Sequence, residues 1–318
     1  MSNFTITIVG TGVIGTSLGL ALKRIEDPPR LVGHDKELSN AQAGAKKGAF
    51  DKVEWNLVNA CEKADLIILA IPLNGIRPTL EAIARDLKQN VLITDTAPSK
   101  APVLAWAGEL LPDHAHYVGG NPLVHPPGSG YEHANADLFQ ERLYCITPAP
   151  ASNEDAVQLL VGIVSAIGAR PFFLDPTEHD GLITATEHLP AALSAALLNT
   201  LAGQGAWRET RKMAGKIFEQ VSAGAVGDAD ALKDNLVGNR ANLTHWLDSY
   251  IAQLQQLRAL LAEADDSDEA LAQWLDKALV ERHNWLVDYQ KGRFVDPLLT
   301  STKVDRPSFF KQLFGFRR

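Results

Sequence analysis

The feature that most constrains this chain is GTGVIG at residues 10–15, set directly between FTITIV at 4–9 and TSLGLALKRI at 16–25. The first flank is rich in β-branched residues and the second has apolar positions at helical spacing, so the glycines lie at a strand-to-helix turn. There the spacing has a mechanical meaning. Gly10 permits the tight turn, Gly12 lets the backbone approach a diphosphate, and Gly15 allows the helix to lie close to the sheet. The N–H groups of Val13 and Ile14 open the helix and point at the anion. Asp35 ends the next strand, LVGHD, twenty residues past Gly15, where a carboxylate takes the ribose hydroxyls and repels a 2′-phosphate. The pattern predicts a nicotinamide dinucleotide cofactor, NAD in preference to NADP, with His34 and Lys36 as flanking cations that keep NADP open.

Strand-like runs recur at DLIILAIP (65–72), VLITD (91–95), YVGGN (117–121), LYCIT (143–147) and RPFFL (170–174), with helical stretches between most of them. Short apolar runs without in/out alternation are buried on both faces, which predicts a mostly parallel, Rossmann-type sheet covered by helices. Beyond residue 175 the strand signal stops and leucine and alanine recur at helical intervals. The expected fold is therefore α/β: a dinucleotide-binding domain over 1–174, then an all-helical substrate and dimerisation domain over 175–300. DNLVGNRANLTHWLDSYIAQLQQLRALLAEAD reads as one long helix, and leucine-rich helices of that length usually have a partner. The remaining 301–318 carries five basic residues and four phenylalanines; it reads as a clamp on a subunit or domain junction, with a membrane-surface helix as the alternative.

Composition narrows the partners. With 38 acidic against 30 basic residues the net charge is −8, which disfavours a nucleic-acid partner. Cys61 and Cys145 form no CxxC pair and no Cys/His cluster, so no metal site is expected and a reducing, cytoplasmic setting fits. No apolar run reaches the length of about 18 residues that a membrane span needs, and no basic leader precedes the first strand.

Several ordered motifs along nearly the whole chain resemble the prephenate/arogenate dehydrogenase family: GTGVIGTSLGLAL, GHDK, KKGAFDK, ADLIILAIP, TDTAPSK, HANADLFQERLYCITP, EHDGLITATEHLP, ETRKMA and GNRANL. The resemblance implies oxidation of a cyclohexadienyl acid by NAD(P), with loss of CO₂ and aromatisation, in tyrosine biosynthesis by a homodimer. Such chemistry needs a base or acceptor at the substrate hydroxyl and a cation for a carboxylate. By resemblance Arg211 holds the carboxylate, Lys100 is a second cation at the TDTAPSK turn, and His179 and His188 match family positions. The chain also departs from the family. Ala97 and Pro98 replace the Gly-Ser of the turn before Lys100, leaving Ser99 as its nearest hydroxyl. Asn121 stands at the catalytic histidine's position, and an amide cannot keep a proton at neutral pH. Ala191 replaces a further histidine. The base is therefore expected to be displaced to His125, in the loop GGNPLVHPPGSG, or to His188. The departures also leave two other readings open: a dehydrogenase of the same fold acting on another small hydroxy acid or imine, or a catalytically reduced nucleotide-binding protein.

Overall fold

The computed structural model describes residues 4–262 and 268–291. Within them the chain forms two compact units that divide at Leu243 and Thr244.

The first unit is built on a six-stranded parallel sheet. β1 (Thr5–Val9) leads through α1 (Val13–Leu22) to β2 (Arg30–His34), and α2 (Leu38–Lys46) leads to the two-residue β3 (Lys52–Val53). Next come α3 (Leu57–Cys61), β4 (Leu66–Leu69), α4 (Leu73–Ile83), β5 (Leu92–Asp95), α5 (Ala101–Leu110) and β6 (His116–Tyr117). The strand order is β3-β2-β1-β4-β5-β6, reversing direction of growth beside β1. A ligand crevice lies at such a reversal, outside the carboxyl ends of the strands. One apolar core, containing Ile6, Ile8, Leu18 and Leu22, fills one face, and a second, containing Ile67, Leu69, Ile76 and Leu80, fills the other. Burial on both faces is why these strands show no alternation.

The stretch 117–121 does not form one strand. β6 ends at Tyr117 after pairing with β5; β7 (Gly119–Pro122) then leaves the sheet and pairs antiparallel with β8 (Leu143–Thr147). Through α6 (Glu154–Ala166), whose cap Asn153 accepts from the Ala156 N–H, the chain returns as β9 (Arg170–Phe173), parallel to β8. The nine strands among the described residues therefore make two sheets, and the break sets Gly120, next to Asn121, against Asp95 at the end of β5 rather than in a long edge strand.

Past residue 175 the regular elements of the described chain are all helices, joined by short turns. Asp175 caps α7 (Pro176–Ile183) by accepting from the N–H groups of Thr177 and Glu178. A π-helical turn over Thr184–His188 follows, then α8 (Leu189–Ala202). Pro190 has no N–H to give to the preceding turn, a common reason for a helix to widen. The turn has a large geometric effect. Nine residues of uninterrupted α-helix would leave His179 and His188 about 180° apart, whereas one inserted residue brings them to about 80°.

This continuous helix, 27 residues over Pro176–Ala202, reaches a mean hydropathy of 1.2 in an 18-residue window. By length and composition alone it could cross a membrane, which corrects the expectation that no segment passes that test. The test is weak evidence for a span, and Asp180 within this helix is hydrogen-bonded to the turn before α5.

The short helices α9 (Trp207–Thr210) and α10 (Lys216–Ser222) precede α11 (Ala229–Gly238) and α12 (Arg240–Ala262). The single long helix expected from residue 234 is thus interrupted at Asn239, which leaves helical geometry at φ −119° and ψ 32°. Its buried side chain is held by Ser99 and His188.

The second unit, among the described residues, comprises α12 from Thr244 onward and α13 (Asp268–Lys291). Trp274 Nε1 donates to Gln253 Oε1 at 3.2 Å, and Trp285 and Tyr289 stack at 5.3 Å. Ile251, Leu254, Leu261, Leu279 and Trp285 are among its exposed apolar side chains. The tail over 301–318 lies outside the described residues.

Candidate active site

Gly10 adopts φ +92°, a backbone that strains any L side chain, and a Cβ there would run into the Ala70 carbonyl. A Cβ at Gly15 would strike Gly10 itself, so this glycine is what lets α1 lie against the turn. The Val13 N–H at the head of α1 donates to the Ser129 carbonyl at 3.0 Å, and a Cβ on Gly12 would meet that oxygen at 3.2 Å. Asp35 accepts from the Thr11 N–H at 2.7 Å, the Thr11 hydroxyl at 3.0 Å and the Glu37 N–H at 2.9 Å. These bonds hold the carboxylate at the end of β2. His34 Nδ1 lies 2.9 Å from the carbonyl of Glu54, just after β3, so its ring is turned to that backbone rather than to Asp35. The donors, the open glycine turn and the carboxylate fit a nicotinamide dinucleotide.

Beside the cradle, at the carboxyl end of the sheet, is a cavity of about 360 Å³ whose lining includes Ile14, Thr96, Asn121, His125, Glu187 and His188. Ile14 belongs to α1, so the cofactor helix and the cavity share a wall. Among the described lining residues there is no lysine or arginine.

Behind this cavity lies a buried ion pair. Asp95 and Lys100 are 0% and 1% exposed; the ammonium pairs with Asp95 and also donates to the Gly120 carbonyl at 2.6 Å. Asp95 accepts in turn from the Gly120 N–H. Burial pulls the Lys100 pKa below the ordinary lysine value, with Asp95 opposing the shift. Lys100 thus fastens β5 to β7, and its charge is taken up inside the protein.

Asp180 organises the next layer. It accepts from the N–H groups of Lys100 at 2.6 Å and Ala101 at 2.9 Å, the donor-rich start of α5. It also lies 2.9 Å from His179 Nδ1. A carboxylate can only accept, so Nδ1 carries a proton and Nε2 of the neutral ring has a lone pair. That nitrogen is 3.1 Å from Asn121 Nδ2, which donates to it. His179 is 0% exposed and does not itself line the cavity, but it is hydrogen-bonded to Asn121, which does.

His188 is arranged in the opposite sense. Asn239 Nδ2 donates to Ser99 Oγ at 2.9 Å and lies 3.4 Å from His188 Nδ1. That contact assigns the ring proton to Nε2, which has no hydrogen-bond partner among the described residues. Burial lowers the His188 pKa and so favours the neutral ring. His188 thus lines the cavity as a residue while its Nε2–H is buried and unpartnered among the described residues. Ser99 is buried against Asn239 and does not line it.

At the cavity's outer side the His125 side chain is 76% exposed, with Nε2 3.5 Å from Glu187 Oε1. Burial raises the Glu187 pKa and His125 partly offsets this. Arg211 is exposed just after α9 and is not among the lining residues. Of the residues picked out by sequence, the fold gathers Asn121, His125 and His188 around one cavity, with His179 behind Asn121. Sequence reading missed Asp180, Glu187 and Asn239 as site residues. His-Asp and Gly-Asn-Arg were visible as motifs, but the partners of Asp180 and Asn239 are 80 and 140 residues away in sequence.

Residues 18–172 match the family model described as prephenate dehydrogenase, nucleotide-binding domain, and 175–277 match prephenate dehydrogenase, dimerization domain. The probable prephenate dehydrogenase NovF of Streptomyces niveus is 30% identical over 273 residues, spanning 85% of this chain and 72% of that protein. The chain belongs to the prephenate dehydrogenase family. Prephenate dehydrogenase of Bacillus subtilis is 27% identical over 263 residues, 82% of this chain and 71% of that protein. The fold agrees with the crystal structure of prephenate dehydrogenase from A. aeolicus in complex with hydroxyphenyl propionate and NAD+. Its TM-score is 0.83 at 21% identity, over 89% of this chain and 99% of that one. Synechocystis arogenate dehydrogenase gives 0.75 at 24% identity, over 89% and 100%. This member of the family is an NAD(P)-dependent dehydrogenase by descent, with an asparagine, Asn121, in β7 where the family resemblance puts an imidazole.

Proposed function

We propose that the chain catalyses the NAD-dependent oxidative decarboxylation of prephenate or arogenate. The observation that carries this reading is the cavity joining the α1 turn to Asn121 and His188 at the carboxyl end of the parallel sheet. Bound NAD+ supplies the hydride acceptor. The protein's part is to seat the dinucleotide, hold the substrate and remove one proton. Asp35 takes the adenosine ribose hydroxyls, which favours NAD, and the α1 N–H groups of Val13 and Ile14 face the diphosphate. His188 Nε2–H donates to a substrate oxygen. Lys100 serves the site as a brace under Asp95 and Gly120. Arg211 is the proposed carboxylate ligand: it keeps the motif position and its guanidinium has no hydrogen-bond or ion-pair partner among the described residues.

We take 175–300 as the substrate and dimerisation part, and the exposed apolar side chains of α12 and α13 as surface that a second copy covers in a homodimer. Burial pushes both thiols, Cys61 and Cys145, up to about 12, which suits unreactive cysteines in a cytoplasmic protein.

The test is an absorbance assay for reduced nicotinamide with prephenate and arogenate, each with NAD and NADP. Turnover with either acid and a preference for NAD is expected. NAD binding with no turnover would favour the catalytically reduced reading, and turnover of a different hydroxy acid would move the substrate.

A further inference from the structure

The site has a missing base and a buried one. Asn121 lines the cavity but an amide does not hold a proton; His179 has a lone pair but is fully buried behind it. The hydrogen bonds between them run in one direction. Asp180 accepts from His179 Nδ1, and His179 Nε2 accepts from Asn121 Nδ2. Asn121 Oδ1 is then the amide's remaining polar atom; it makes no hydrogen bond among the described residues, and the cavity is the open side of the residue.

We propose that Asn121 and His179 act together as the base of the reaction, with the amide relaying the proton to the imidazole. The substrate hydroxyl gives its proton to Asn121 Oδ1 while Asn121 Nδ2 gives one of its own to His179 Nε2. The O–H bond of the substrate breaks and its electron pair forms the new carbonyl as hydride departs. The amide passes to its imidic-acid tautomer without net charge, and the positive charge appears on His179 beside the Asp180 carboxylate. This is the arrangement by which a carboxylate stabilises an imidazolium in an acid–base triad. In the reset, loss of CO₂ leaves a phenolate on the same substrate oxygen, which takes the Oδ1 proton back while the imidazolium returns its proton to the Asn121 nitrogen, so the relay is restored with no net proton released. Asn121 is the catalytic residue of the pair; His179 and Asp180 act through it. His188 does not compete for this role, because Asn239 occupies its Nδ1 and its buried Nε2 bears the proton.

The inference rests on the dehydrogenase reading, and the experiments separate the two. Wild-type turnover of prephenate or arogenate is measured first; its absence overturns the substrate reading. Given turnover, His179→Gln is expected to lower kcat at least 100-fold with KM changed less than threefold. Asn121→Ala, which truncates a residue on the cavity wall, should do the same, and the double variant should be no slower than the slower single. Asn121→His in the His179→Gln background should restore at least tenfold of kcat, since it places an imidazole directly in the cavity. A merely structural His179 would give no such rescue. Either single variant keeping kcat within threefold of wild type, or a double variant whose losses multiply, overturns the relay. Nitrogen-15 NMR of histidine-labelled protein supplies a readout that needs no turnover. The His179 resonances, assigned by difference with His179→Gln, should show a protonated Nδ1 and a bare Nε2; a protonated Nε2 at neutral pH overturns the proposal even in a protein without activity.

Discussion

The inner and outer sides of the cavity carry charge in contrasting ways. On the inner side Asp95 and Lys100 are buried and bonded to each other and to the backbone of Gly120. On the outer side His125 and Glu187 are 76% and 42% exposed and 3.5 Å apart. A pair of the first kind has paid its desolvation and punishes the loss of either partner, whereas solvent screens a pair of the second kind. The contrast marks the inner charges as scaffold; the proposed chemistry lies between the two pairs, at Asn121 and His188.

The comparison breaks most visibly at Lys100. Lys100→Met strands a buried carboxylate and is expected to cost about 3–5 kcal/mol in denaturant unfolding; a loss within the error of the measurement would mean that the inner pair is not structural. Next comes Asp180→Asn, which keeps the shape but has a single acceptor oxygen for what were three donors. Unfolding should show about 1–3 kcal/mol lost, accompanied by slower turnover. At Glu187 the sign of the pH dependence is the test. Its folded pKa is raised by burial, so the stability tied to its protonated form is present below the unfolded pKa and is lost as pH rises through the folded one. Glu187→Gln should flatten that limb of a stability–pH curve, and an unchanged curve would remove burial as the cause. Smallest is His125→Ala. The sequence alone makes His125 a candidate base, for which a tenfold loss of turnover is expected, but with Asn121 and His179 as the base the loss should stay below threefold. A tenfold fall in kcat at constant KM would return the base to His125.

The cofactor cradle was readable from GTGVIG because its whole mechanism is local: a turn, a helix start and a strand end within 26 residues. Asp35 needed only the next strand. The substrate side is different in kind. His179, His188 and Asn121 could be named, but which nitrogen of each ring carries the proton depends on Asp180 and Asn239, and their partners come from distant segments. The π turn at Thr184–His188 changes which face each histidine occupies, and a 3.6-residue period does not contain that information. Leu-Pro at 189–190 was its visible trace. Similarly, the break after Tyr117 comes from a competition between β5 and β8 for the same stretch, which no pattern within 117–121 expresses. Asn239 interrupts a helix that the leucine spacing around it would continue, because a buried amide bonded to Ser99 and His188 outweighs local propensity.

The Ser129 carbonyl on the Val13 N–H has a thermodynamic consequence of its own. The head of α1 is satisfied by the loop that also carries His125, so a dinucleotide phosphate bound at the Val13 N–H would arrive by exchange rather than by simple addition, replacing a peptide oxygen as the helix's guest. The displaced bond is small, about 0.5–1.5 kcal/mol net, but its position makes it a comparator. A substitution that stiffens the stretch from Pro126 to Gly130 is expected to alter cofactor affinity from outside the glycine turn, which a nucleotide titration of the variant would read.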